Sequence, residues 1–147
     1  MNPSQISVGV VGLGLMGCSI TTCLLMAGHR VVAVAPLPID VPTAKPRISE
    51  HLQKSLEEGL TVQSPDFFFE SLLLTEDYAA LAACGLVIEC TLEDLAIKKS
   101  VYEKIEAVVS EEAVITSNTS AIPISILQKE VQRPERFLGL HWAEPSH

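Results

Sequence analysis

Hydrophobic positions along the chain group into short β-branched runs separated by longer stretches with helical spacing. Residues 6–11 (ISVGVV) carry no charge and stop at Gly12, the character of a strand covered on both faces in a parallel sheet. Residues 15–27 stay apolar on more than one face and lead to Gly28, placed as the glycine that follows a helix, so a buried helix is expected there. Residues 30–35 (RVVAVA) predict a second strand, broken by Pro36 and Pro38. After Pro42 and Pro46, Ile48, Leu52 and Leu56 recur every four residues among Glu50, Lys54, Glu57 and Glu58, which predicts a surface helix ending at Gly59. Residues 61–70 give no such rule, because a regular helix cannot bury the adjacent Phe67, Phe68 and Phe69 on one face. Residues 72–75 and 86–90 (LVIEC) read as strands, with a short helix over 77–83 between them. The clearest amphipathic helix follows. Capped by Thr91 or Asp94, it turns Leu95, Val101, Ile105 and Val108 inward and Lys98, Lys99, Glu103 and Lys104 outward. Residues 113–116 (AVIT) and 137–140 (FLGL) add two strands, separated by a polar turn and a segment starting at Pro123. The alternation predicts an α/β fold, a doubly wound parallel sheet with helices on both faces.

A length of 147 residues sets one domain, 1–147, with 48% hydrophobic and 19% charged residues, the balance of a chain that builds a core. The net charge of -8 lacks the clustered Lys and Arg of a phosphate-backbone binder, so no nucleic-acid partner is expected. No stretch is long and apolar enough to cross a bilayer, and no basic segment followed by an apolar core opens the chain, so no membrane partner and a cytoplasmic location are expected. Cys18, Cys23, Cys84 and Cys90 lie in apolar runs without the close pairing of a zinc or redox motif, and read as buried thiols with no metal.

Chemistry enters at Gly12-Leu13-Gly14-Leu15-Met16-Gly17, a GxGxxG between a predicted strand and a predicted helix. In the dinucleotide-binding (Rossmann) arrangement Gly12 permits the tight turn, Gly14 lets a pyrophosphate approach the backbone, and Gly17 lets the helix pack close to the sheet. The helix N-terminus then favours the anionic diphosphate. The fingerprint also asks for an acid about 20 positions on, at the end of the second strand. Ala35 stands there, followed by Pro36, and no arginine follows the strand to welcome a 2′-phosphate. A histidine after FLGL, His141, fits either a structural imidazole or a general base, since its side-chain type titrates near neutrality. Glu89, in a strand otherwise apolar, needs a partner or ligand nearby and is a candidate support for the neighbouring loops.

The segments LVIECTLEDLAIKKSVYEKI (86–105), SNTSAIPIS (117–125) and RPERFLGLHWAEP (133–145), with GLGLMG at the front, resemble the L-3-hydroxyacyl-CoA dehydrogenase family in order and spacing over nearly the whole chain. The 3-hydroxyisobutyrate and 6-phosphogluconate dehydrogenases look similar only at the first loop. The resemblance implies an NAD-dependent oxidoreductase of fatty acid metabolism that transfers hydride between the 3-hydroxyl of an acyl-CoA-like substrate and NAD. It implies His141 as general base and Ser117 as a contact to substrate and cofactor. Glu93, Lys98 and Glu144 fall at positions used around the cofactor. Glu93 and Lys98 are equally compatible with solvated helix residues, and Asn118 and Thr119 with an ordinary turn.

Three positions depart from the family pattern: Ala35 for the ribose-binding acid, Gly85 for an Asp before the fourth strand, and Glu144 for an Asn near the nicotinamide. A carboxylate at 144 adds negative charge beside His141, which favours the imidazolium and bears on substrate preference. In the family a glutamate about a dozen residues downstream orients the histidine, and a helical second domain completes the substrate site and a homodimer interface. Neither falls within these 147 residues, so the chain is expected to bind a dinucleotide without turnover by itself. The competing readings are a non-catalytic dinucleotide-binding module and a dehydrogenase of another 3-hydroxy acid.

Overall fold

The computed structural model describes residues 5–37 and 39–143. Six parallel strands form one sheet in the order β3-β2-β1-β4-β5-β6. Along the chain they are β1 (Ser7–Val11), β2 (Arg30–Val34), β3 (Leu72–Thr75), β4 (Leu86–Glu89), β5 (Val114–Ser117) and β6 (Phe137–Gly139), and the helices are α1 (Leu15–Met26), α2 (Asp40–Glu57), α3 (Pro65–Phe69), α4 (Leu95–Glu106) and α5 (Ile124–Leu127). Chain direction across the sheet reverses between β1 and β4, so the loops after these strands diverge and leave a crevice at their carboxyl ends.

The strands alternate faces. Val8, Val10, Val31, Ala33 and Ile88 pack against α1 and α2 through Ile20, Ile48 and Leu52, while Val11, Val34, Val87 and Ile115 pack against α4 through Val101, Tyr102 and Ile105. The sheet is therefore covered on both sides, as runs without polar alternation require. The doubly wound parallel sheet foreseen in the sequence is the observed fold.

Differences are local. Helix α2 begins at Asp40 and takes in Pro42 and Pro46 rather than starting after them. Pro42 lies in the first turn, where its missing N–H costs nothing; Pro46 removes one ladder bond, and the buried Ala44, Ile48 and Leu52 hold the helix across it. The three adjacent phenylalanines divide: Phe68 is buried, Phe67 is exposed, and α3 is a single turn begun by Pro65. The segment over 78–83 is a 3-10 turn capped by Asp77, whose Oδ1 accepts from Ala79 N at 2.9 Å. In α4, Lys98 is buried and Leu95 is 40% exposed, the reverse of the simple amphipathic reading. Cys18 and Cys84 are buried, Cys23 and Cys90 partly so, and none of the four is in a disulfide among the described residues.

The glycine loop is built as its spacing requires. Gly12 adopts φ +98°, a left-handed conformation that side chains disfavour, and its N–H donates to Val34 O at 3.0 Å, tying the loop to the end of β2. A Cβ on Gly17 would sit 1.8 Å from Gly12 O, whereas one on Gly14 would meet nothing within 4 Å. Gly17→Ala is therefore expected to destabilise the domain by about 1–3 kcal/mol in urea unfolding. Gly14→Ala, with no contact to disturb, should cost less than about 1 kcal/mol. Equal costs would contradict the packing role of Gly17.

Candidate functional site

The carboxyl ends of β1, β4, β5 and β6 meet around a cleft of about 400 Å³ lined by Met16, Thr91, Glu93, Asn118, His141 and Trp142 among others. One wall is the start of α1. Its N-cap, Gly14, has no side chain to cap with, no acid lies in the first turn, and the first intrahelical bond runs from Cys18 N to Gly14 O at 3.1 Å. The N–H groups of Leu15, Met16 and Gly17 thus point from a positive helix end with no acceptor among the described residues. Leu13 is fully buried beneath the loop and Leu15 is exposed at its rim.

Beneath the cleft lies a buried carboxylate. Glu89, at the end of β4, has no solvent exposure, and its two oxygens take six hydrogen bonds. Oε1 accepts from Thr91 N at 2.6 Å, Thr91 Oγ1 at 2.6 Å and Lys98 Nζ at 2.8 Å. Oε2 accepts from Ser117 Oγ at 2.6 Å, Tyr102 OH at 2.9 Å and Lys98 Nζ at 3.0 Å. An unpaired charge there costs many kcal/mol, so the paired ammonium and the hydroxyls are what make it tolerable. The helical spacing of Lys98 and Tyr102 brings both onto the face of α4 that looks at β4. The amphipathic reading sends Lys98 outward because it weighs the charge of the lysine and not the buried Glu89 opposite it. Burial and the Glu89 charge push the Tyr102 hydroxyl pKa up, so it stays a donor. The same two causes push up the Cys90 thiol, which is therefore not a ready nucleophile.

Ser117 is fully buried and its proton goes to Glu89, so the structure places this hydroxyl under the cleft rather than on its wall. Glu93 does sit on the wall. Its carboxylate accepts from Ser120 N at 2.5 Å and from the Thr119 hydroxyl at 2.9 Å, with Lys98 Nζ 3.6 Å away. It thereby links the loop after β4 to the loop after β5. His141 lies on the cleft, exposed, between two anchored neighbours: Leu140 N donates to Ser117 O at 3.0 Å and Trp142 N to Asn118 Oδ1 at 2.7 Å. Among the described residues its ring has no hydrogen-bond partner. Glu144 lies outside the described residues.

Two contributors were not singled out from the sequence. Asn118 is more than a turn residue, since its side chain fixes the backbone beside His141. Glu106, buried one turn beyond Tyr102, accepts from Gln132 N at 2.9 Å and Arg133 N at 3.2 Å and so holds the RPERF segment that leads into β6. The spacing of Lys98, Tyr102 and Glu106 was the available signal, three polar groups on one helix face. The residues present fit a dinucleotide at its diphosphate, through the Gly12–Gly17 cradle and the free helix N-terminus; no cluster of metal-ligating side chains occurs among the described residues.

The network makes two measurable claims. Glu89→Gln, which leaves Lys98 without its counter-ion, should cost about 3–5 kcal/mol in urea unfolding, and Glu89→Gln with Lys98→Met should recover part of it; a cost below that of Ser117→Ala would contradict the account. At Glu93, partial burial works to raise the pKa, but the Ser120 N–H, the Thr119 hydroxyl and Lys98 outweigh it and hold the carboxyl below its ordinary value of 4.5. Its contribution to stability is therefore complete above that ordinary value and is lost as pH falls through the lower folded one. Carboxyl NMR should find Glu93 titrating below 4.5, and a midpoint above that would show that these contacts do not form.

Residues 7–147 match the family described as 3-hydroxyacyl-CoA dehydrogenase, NAD binding domain. A 3-hydroxybutyryl-CoA dehydrogenase of Mycobacterium tuberculosis is 35% identical over 140 residues, covering 94% of this chain and 49% of that protein. A 5-formyl-3-hydroxy-2-methylpyridine 4-carboxylate 5-dehydrogenase of Mesorhizobium japonicum is 31% identical over 142 residues, covering 96% and 45%. The crystal structure of (S)-3-hydroxybutyryl-CoA dehydrogenase from Ralstonia eutropha superposes with a TM-score of 0.88 at 29% identity, covering 95% of this chain and 50% of that one. The chain spans about half the length of these two curated relatives. With its glycine cradle, its parallel sheet and this match over nearly its whole length, the chain belongs to the 3-hydroxyacyl-CoA dehydrogenase family as its NAD-binding domain.

Proposed function

We propose that this domain serves a dehydrogenase that oxidises the 3-hydroxyl of an acyl-CoA-like substrate, with His141 as the general base. The observation that carries the reading is the convergence of the glycine cradle and His141 on one cleft at the carboxyl edge of the sheet. When bound, NAD supplies the hydride acceptor. The residues of this chain do the rest that lies within it. The start of α1 holds the diphosphate, the Glu89 network fixes the floor, and Asn118 and Ser117 set the backbone on either side of His141 so that its imidazole faces the cleft and takes the hydroxyl proton. Imidazole is suited to that exchange because it gains and loses a proton near neutral pH.

The buried, donated hydroxyl of Ser117 supports a role in ordering the floor, with its remaining lone pairs available as acceptors. Lys98, engaged with Glu89, Glu93 and Thr91 O, supports the cofactor wall through Glu93. Substrate is the least constrained part. The relatives include a dehydrogenase whose name specifies a pyridine carboxylate, so a substrate that is not a thioester is the alternative. A non-catalytic dinucleotide module is favoured by the missing ribose acid at Ala35 and by Glu144, which stands where the family pattern has an Asn.

His141→Asn tests the assignment of the base. Assayed in the longest natural polypeptide that contains this domain, the variant should lose turnover by about 10²–10⁴-fold while its affinity for NADH stays within about twofold. A nearly normal rate would refute the assignment of the base.

A further inference from the structure

The two ends of the cleft carry opposite charge. At one end the start of α1 presents free N–H groups and the positive pole of a 12-residue helix. At the other, Glu93 lines the wall, partly open to solvent, with its carboxylate oriented by Ser120 N and the Thr119 hydroxyl. Those donors and Lys98 keep it ionised. Lys98 does not cancel it. Its Nζ lies 2.8 and 3.0 Å from the oxygens of Glu89 but 3.6 Å from Glu93, and two carboxylates sharing one ammonium leave one negative charge. Glu89 is what keeps that charge available, because without it the ammonium would belong to Glu93. Cys90, also on the cleft, stays a neutral thiol, and no arginine or lysine lines the cleft among the described residues.

A nicotinamide dinucleotide has the same polarity in only one of its redox states. Its diphosphate is anionic in both, whereas the ring is positive in NAD+ and neutral in NADH. With His141 as the base, the substrate carbinol gives its hydroxyl proton to the imidazole and its hydride to the ring, so ring and imidazole share this cleft. Glu93 stands on the wall of the same space. A cleft of about 400 Å³ spans about 7 Å, and opposite unit charges at that separation beside a partly solvated wall strengthen a binding constant roughly three- to tenfold.

We propose that Glu93 is a specificity-determining residue for the redox state of the cofactor, its charge strengthening NAD+ relative to NADH. The inference rests on the reading of this cleft as the place where the ring meets His141. A carboxylate that only accepts from a ribose hydroxyl would serve both forms alike, and one that only ties the loop after β4 to the loop after β5 would distinguish neither.

The chain is titrated with NADH by nucleotide fluorescence, and NAD+ and ADP-ribose are measured by displacement of NADH. ADP-ribose carries the diphosphate and both riboses without the ring. Glu93→Gln keeps an acceptor for Ser120 N and removes the charge. It should raise the ratio of the NAD+ Kd to the NADH Kd by about three- to tenfold, with NADH and ADP-ribose each within about twofold of the unaltered chain. A tenfold change corresponds to a rise of about 30 mV in the midpoint potential of the bound couple. Thermal unfolding of the variant is followed in parallel. In the unaltered chain the same ratio should rise as sodium chloride is added, since screening weakens the ring attraction while the diphosphate is common to both forms; this arm needs no variant. A ratio unmoved by the substitution and by salt, or equal losses for NAD+, NADH and ADP-ribose, overturns the assignment and leaves the cradle and His141 standing. Failure of all three to bind the unaltered chain overturns the cradle and this inference together.

Discussion

The arrangement of this domain turns on one buried charge. Glu89 ends the strand at which the sheet reverses direction, and a carboxylate sealed from water at that point is tolerable only if every lone pair finds a donor. The donors come from the loop after β4 through Thr91, from β5 through Ser117, and from α4 through Lys98 and Tyr102. Three separate elements are thereby fixed against each other at the edge where the cleft opens. Replacing the network with apolar groups of similar volume would often be neutral for stability. Its value lies in holding the floor of a cleft in one arrangement, with protons directed inward.

The same device recurs twice at lower burial. Glu93 gathers the backbone N–H of Ser120 and the hydroxyl of Thr119, and Glu106 gathers the backbone N–H groups of Gln132 and Arg133. The net charge of -8 is thus partly an internal scaffold. Three carboxylates hold the loops after β4 and β5 and the approach to β6, and the last of these delivers His141 to the cleft. The glycine cradle, with its free N–H groups, is the part of this edge left open to an anion.

Much of this was legible in the residues. Strand runs without polar alternation announced a sheet covered on both faces, and GLGLMG between strand and helix announced the cradle, because both depend on local chemistry and short spacing. Glu89 stood out as a charge in an apolar strand and its need for a partner was foreseeable. Which partner it took was not, since Lys98 and Tyr102 are chosen by the approach of α4 to β4 across nine and thirteen residues of chain. Helix α2 shows the opposite failure, in which Pro42 and Pro46 argued for a later start and burial of Ala44 and Ile48 overrode them.

The central claim is that the loop between β1 and α1 holds a dinucleotide through its backbone. Calorimetric titration of the chain with NADH, set beside Gly14→Val, tests it most directly, because a Cβ at Gly14 meets nothing within 4 Å in the fold and stands at the N-terminus of α1, where the account puts the diphosphate. The account predicts saturable one-to-one binding by the unaltered chain and its loss in a Gly14→Val variant whose unfolding transition is unchanged. Undiminished binding in that variant would place the nucleotide elsewhere and contradict it.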